Sequence, residues 1–466
     1  MSSVSHEELF PQVEHAVLTV LRQAAHQVER SSGFIQRLNK SSGVTGERFV
    51  QMLVLGWLQT PDASLETLVQ FGEEVGVHLT GQGLDERFSE HAVTLLRQVF
   101  EVALAQVVLA DPVAVPLLER FAGVVLEDSS IVRLPDPFAD LLRGCGGSQQ
   151  GKGTASSFKL FVRLEMLRGR LECSSLLPGR HADTRTPFRR TPSVARTLHV
   201  RDRGFADLHR WQEEVERGEE VLSYYKAGVH LLTRAGQPLD LLGWLRQVEE
   251  QAEVEVLVGE EVRVPMRLLV QRVPDEQREQ RQARLRSDAQ RHGRRVPVES
   301  EEQAGWTLVL TTASRSLLTL DEAMIVVRLR WQIELLFKLW KQDGLLDEWR
   351  SQKRERILCE IYAKLIGLLL LHWLLIVGCW QQPHRSLTKA AKAVRMRTIL
   401  LAVALSGGML FREATRRIQR ATGRGSQVNH RHKAPSTSQM LESGRNVWAN
   451  PPRTPKKRGR KKLDHS

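Results

Sequence analysis

Three acids, Asp128, Asp202 and Glu334, stand where predicted strands or a predicted helix can aim carboxylates at one point. Asp128 follows the apolar run Val124-Val125-Leu126, and Asp202 follows the alternating Leu198-His199-Val200, so each closes a predicted strand. Glu127 precedes Asp128, but successive strand residues point to opposite faces, so only one of the two can serve a shared site, and Asp128 is the candidate. In the helix predicted over residues 323–342, at about 100° per residue, Val327, Arg330, Glu334 and Lys341 share a narrow stripe. Beside it lies a broad apolar face of Val326, Leu329, Ile333, Leu336, Phe337 and Trp340. Carboxylates converging from separate segments are the hard oxygen ligands that divalent ions require. Two such ions can cut a phosphodiester, one activating the attacking water and the other stabilising the leaving oxygen. Arg330 and Lys341 would then hold phosphates.

Each of these residues also has a plainer reading. An acid at a strand end is commonly a solvated cap, and Arg330 with Glu334 is an ordinary i,i+4 salt bridge on a helix surface. A second apparent signature is a decoy. Residues 146–153, Gly-Gly-Ser-Gln-Gln-Gly-Lys-Gly, nearly spell a phosphate-binding loop. Gly153, however, occupies the place of the magnesium-binding Ser or Thr, and a strand follows where a helix should.

The elements around these residues fall into an order. Residues 1–120 have helical spacing throughout and predict an all-helical domain. Ser64 to Phe88 within it has helix-turn-helix character, the turn at Gly76. From Gly123 the texture changes to short β-rich runs, then a helix over 206–217 and a strand over 222–233, so residues 121–220 predict the first part of an α/β core. A β-rich region follows over 221–315, including a solvated helix over 275–295 and a strand at Trp306. Thr319 and Glu322 have capping-box spacing and open the core helices of 316–420. The tail, 421–466, is basic and predicted to be disordered, with lysines and arginines concentrated at 456–462.

Composition narrows the partner. A net charge of +13 over 466 residues favours a polyanion, with nucleic acid first. The four cysteines have no zinc-site or disulfide spacing, and the start of the chain lacks a secretion signal, so a reducing cytoplasmic setting is expected. Residues 361–380 approach the apolarity of a membrane span. Lys364 and His372 interrupt them, and a solitary stretch with charged flanks reads as a buried core helix, with no membrane partner.

Arg330-Trp331-Gln332-Ile333-Glu334 followed by Lys341 resembles the Tyr-Arg-Glu-Lys signature of insertion-sequence-4-type transposases. Leu126-Glu127-Asp128-Ser129-Ser130 is similar to that family's first-Asp strand, and Asp202-Arg203-Gly204-Phe205 to its second-Asp motif. The resemblance implies a ribonuclease H-like core with a β-rich insertion, and catalytic and metal-binding roles for Asp128, Asp202 and Glu334 with two Mg²⁺ or Mn²⁺ ions. It further implies DNA contacts by Arg330 and Lys341, and cut-and-paste transposition, through a hairpin at the transposon end, on double-stranded DNA with terminal inverted repeats and a target. A homodimer in the synaptic complex and a prokaryotic, nucleoid-associated location come with it. Trp306 lies where relatives place a tryptophan near a flipped base; a core tryptophan is the plainer reading. Val327 stands where the family has Tyr, and Ser129-Ser130 where it has Gly-Thr. The alternatives are a nuclease of the same fold and an inactive transposase-derived DNA-binding protein.

Overall fold

The computed structural model describes residues 6–34, 44–146, 155–188, 194–382, 385–427, 437–444 and 446. The glycine-rich turn beyond Gly146 and the basic run at 456–462 lie outside them. The fold is mixed α/β and divides into two compact units: residues 1–221 with 329–428, and residues 222–328 with 429–466.

In the first unit, only helices precede Gly123 among the described residues. They do not form a body of their own. The helices Gly46–Gln59 and Glu90–Leu104 pack on Arg354–Cys379, which is apolar all round and therefore needs partners on every side. This is the described helix long and apolar enough to cross a membrane, and 94% of its apolar window is buried inside the protein. Its two polar interruptions are both satisfied: Lys364 Nζ pairs with Glu360 and donates to the carbonyls of Leu345 and Glu348, and His372 Nε2 donates to the Gly169 carbonyl at 2.8 Å. Near the start of the chain, Leu65–Glu73 and the five-residue helix Gly81–Asp85 flank the turn at Gly76, whose φ is +70°.

The first unit's strands are β1 (Gly123–Arg133), β2 (Ser157–Glu165), β3 (Leu171–Cys173), β4 (Leu177–Pro178) and β5 (Thr197–Arg201). They run in the order β3-β2-β1-β5, with β4 also on β2. β1 pairs parallel with β5 from Gly123↔Thr197 to Glu127↔Arg201, and antiparallel with β2 as far as Arg133↔Ser157. Because β2 supports its far half, β1 continues past the end of β5, and Asp128 lies inside a strand where the sequence predicts a strand end.

In the second unit, β6 (Glu220–Tyr224), whose last three residues belong here, pairs with β10 (Trp306–Thr311). The antiparallel order continues through β9 (Val264–Arg272) and β8 (Gln251–Val258) to β7 (Leu231–Thr233). The single strand expected over 222–233 is two, because the chain turns at Gly228, where φ is +87°. The solvated helix is present as Asp275–Arg291, with no buried residue.

The long helix expected over 323–342 is segmented. Thr319 and Glu322 form the predicted capping box on Leu320–Val326, and then come a 3₁₀ turn, Val327–Leu329, the α-helix Arg330–Lys338 and a π-turn, Leu339–Asp343. Such changes of winding alter the angle per residue, so the straight stripe drawn at uniform pitch does not persist to Lys341.

Candidate active site

The register of β1 and β5 brings the two aspartates together. Their last parallel pair is Glu127↔Arg201, so the next residues, Asp128 and Asp202, are neighbours on the opposite face. Asp128 remains in β1, and Asp202 leaves β5 as the residue before the 3₁₀ turn Arg203–Phe205. Phe205 is buried and meets Phe161 of β2 edge-on, with ring centres 6.1 Å apart, which fixes the turn that follows Asp202.

The third acid arrives on Arg330–Lys338. That helix packs on β1 through a face that buries Ile333, Leu336 and Phe337. Arg330 binds all three acids together: one Nη lies 3.7 Å from Asp128, Nε 3.9 Å from Asp202, and the other Nη 2.5 Å from Glu334. Three carboxylates therefore surround one guanidinium. Asp202 and Glu334 keep about a third of their side-chain surface, 35% and 31%, open to solvent, so the cluster is reachable.

The charges are not balanced. Burial pushes the Asp128 carboxyl up to about 6, and the negative charges of Asp202 and Glu334 push the same way, against a hydrogen bond from the Ser129 amide and the charge of Arg330. Three acids facing one fixed cation are short of positive charge, and their donors are all hard carboxylate oxygens. In donor chemistry the set suits a divalent cation, with the Arg330 guanidinium lying among the three carboxylates.

Lys341 reaches back to β1. Its ammonium donates to the Ile131 carbonyl of β1 at 2.7 Å, and burial lowers its pKa, partly offset by Asp347. Val327, at the position of the family tyrosine, is 1% exposed. Trp306 belongs to the second unit, at the start of β10, with the Arg272 guanidinium 4.6 Å from its ring centre. It lines an open cavity of about 370 Å³ in that unit with Leu245, Arg272, Arg278 and Gln282.

Sequence reading missed Asp183. It accepts a 2.6 Å hydrogen bond from the Ser129 hydroxyl and pairs with Lys159 of β2 at 2.9 Å, and its other oxygen lies close to Gly204. It thus borders both aspartate motifs. It comes from a loop, where no periodicity marks it.

The other face of β1 and β5 is closed. Glu127 and Arg201 are each fully buried. Glu127 accepts from Arg210 at 2.6 Å and from Arg201 at 3.4 Å, and Arg201 makes a two-pronged bridge to Glu214 at 2.5 and 2.7 Å. Burial alone would raise the Glu127 carboxyl, but Arg201 and Arg210 outweigh it and hold it far below the usual range. Nearby, ligand atoms of His199, Glu214 and Glu219 fall within 4.8 Å of one another. Arg201 and Arg217 already engage the two carboxylates, which leaves no charge for a metal to neutralise.

The family described as "Transposase DDE domain" matches residues 182–370, a span that holds Asp202, Arg330 and Glu334. The transposase for insertion sequence element IS231F from Bacillus thuringiensis subsp. israelensis is 24% identical over 390 residues, covering 78% of this chain and 80% of the relative. The putative transposase InsL for IS186A from Escherichia coli (strain K12) is 30% identical over 192 residues, covering 39% of this chain and 52% of the relative. Among solved structures, a piggyBac transposase synaptic complex with hairpin DNA aligns at a TM-score of 0.46 and 9% identity, covering 91% of this chain and 87% of that one. The chain is thus similar to transposases of insertion sequences along most of its length, and residues 182–370 match their DDE domain.

Proposed function

We propose that Asp128, Asp202 and Glu334 are the catalytic acids of a ribonuclease H-like core, and that together they hold two Mg²⁺ or Mn²⁺ ions. The observation that carries this reading is the convergence of the three carboxylates on Arg330 with an excess of negative charge. Bound ions would supply activation of the attacking oxygen and stabilisation of the leaving one. The chain's own groups do the rest. Burial of Asp128 keeps bulk water from one side of the site, and Arg330 offers a rigid fork suited to phosphate oxygens. Lys341, held against β1, sets the far end of the helical segment and stands as a second phosphate contact.

The reaction so assembled is cleavage at the ends of a transposon by water, followed by attack of the freed 3′-hydroxyl on target DNA. The substrates are duplexes with terminal inverted repeats, read by the N-terminal helices, and a target duplex. The working form is a homodimer in a synaptic complex, in the cytoplasm of a prokaryote at the nucleoid. Trp306 is assigned to DNA near the transposon end, through stacking on an unpaired base.

Purified protein with Mg²⁺ and DNA bearing the element's own terminal repeats tests this. Wild type should nick the ends and join them to a target plasmid, whereas Asp128→Asn should bind the DNA without nicking. Binding by both proteins with nicking by neither would overturn the reading. Cleavage without joining would reduce it to a nuclease.

A further inference from the structure

The charge of this chain is unevenly distributed. Residues 381–427 contain ten Lys and Arg against one acid, Glu413, and so supply +9 of the net +13. The helix Phe411–Gly425 organises a large part of it. Its inner face buries Phe411, Ala414, Thr415, Ile418 and Thr422 against Arg354–Cys379 and Leu387–Arg395. Its outer face exposes Arg412, Arg416, Arg420 and Arg424, every fourth residue. Glu413 is engaged by Arg417, which lies outside this row. Arg416, Arg420 and Arg424 form no salt bridge with another described residue, so no ion pair of theirs holds the helix. On the neighbouring helix Leu387–Arg395, Lys392 is also exposed and adds to the same positive field.

We propose that the ridge Arg412, Arg416, Arg420 and Arg424 is a docking surface for the phosphate backbone of duplex DNA, separate from the carboxylate site. The proposal rests on the reading that this chain handles DNA and adds where the duplex runs. Residues four apart rise about 6 Å per step along a helix, so the four guanidiniums form a regular ladder with about 40° of drift per step. A phosphodiester backbone is a regularly repeating row of charge, and arginines facing it release its counterions without reading sequence. A solvated helix face would mix signs along its outer row, as Asp275–Arg291 does with acids and arginines together. The ridge has one sign.

The test is a salt titration of full-length protein on a labelled random-sequence 40-bp duplex in EDTA, so that no cleavage intervenes. Each phosphate contact contributes roughly 0.9 to the slope of log affinity against log salt. The variant with Arg412, Arg416, Arg420 and Arg424 all changed to Gln should show a slope shallower by roughly 3 to 4, and roughly 1000-fold or more weaker binding at 0.1 M salt. The all-Lys version should keep most of both. The single changes R416Q and R420Q, each with a slope shallower by roughly 1, decide the matter if the quadruple variant does not fold. A charge-matched control, the exposed Arg234, Arg263, Arg284 and Arg291 to Gln, should leave the slope within about 1 of wild type. An unchanged slope in the ridge variant, or an equal fall in the control, overturns the proposal. So does loss of self-association with unchanged binding per protomer, or ridge-dependent binding to anionic vesicles in preference to duplex. Failure of wild type to bind any duplex would instead overturn the DNA reading itself.

Discussion

Two faces of one pair of strands carry opposite treatments of charge. On one face of β1 and β5, Asp128 and Asp202 meet Glu334 around a single guanidinium, partly open to water. On the other, one residue earlier in each strand, Glu127 and Arg201 are fully buried and matched by Arg210 and Glu214. The same alternation that aims the aspartates outward aims their neighbours inward. Balanced charge in a dry interior fixes a register. Unbalanced charge at a reachable surface asks for something more, which is the usual mark of a site that binds.

The comparison breaks most visibly in activity. Asp202→Asn removes a ligand from the open face and should lower end cleavage roughly 1000-fold or more, since a metal's stabilisation of developing charge is worth several kcal/mol. Its melting temperature should stay close to that of wild type, because Asp202 is a third exposed and bears little on packing. A variant that still cleaves within tenfold of wild type would remove Asp202 from the catalytic set.

The closed face should respond in the opposite sense, in stability before chemistry. Glu127→Ala leaves Arg201 and Arg210 to share Glu214 as their buried counter-charge, and breaking such a buried pair costs about 3–5 kcal/mol. Chemical denaturation should show this at any metal concentration. Replacing Glu127 and Arg201 together by Met should recover part of the loss, because the unpaired charge rather than the missing bridge carries most of the cost. If Glu127→Ala unfolds at wild-type denaturant, the network does not hold the register of the two strands.

How far this division was legible depended on the element. Strand alternation was enough to separate Asp128 from Glu127, because it follows from backbone geometry alone. Glu334 was legible through its fixed spacing to Arg330, which holds within a single α-helical segment. The exact placement of Lys341 was not, because the π-turn at Leu339–Asp343 changes the winding without changing the apolar pattern that predicts a helix. Lys341 lies half-buried against the Ile131 carbonyl, a contact 210 positions distant in sequence. Asp183 could not be seen for a related reason: its partners Ser129 and Lys159 are brought to it by tertiary folding, and its own loop has no period. The N-terminal helices were legible as helices. That they pack on Arg354–Cys379 in one unit depends on faces that local spacing does not pair.

The smallest expected effect is the sharpest test of the imbalance, because its sign is unusual. A carboxylate paired with cations gains stability from being charged, as Glu127 does: its depressed pKa adds stability above its ordinary value of 4.5, lost as pH falls. Asp128 is the reverse. Its pKa is raised from 3.8 to about 6 by burial, reinforced by Asp202 and Glu334, so between these values the folded chain holds a proton that the unfolded chain has released. Stability from this group therefore falls as pH rises through that window and stays lower above it. Asp128→Asn, which cannot ionise, should consequently be more stable than wild type at pH 8 in EDTA, by about 1–3 kcal/mol. The difference should shrink to nothing below pH 4. Added Mg²⁺ should stabilise wild type and not the variant, reversing their order at pH 8. Thermal melts across pH 4–8 with and without Mg²⁺ measure this. A variant less stable than wild type at pH 8 in EDTA would mean that Arg330 already neutralises the open face, and the two faces would then differ only in exposure.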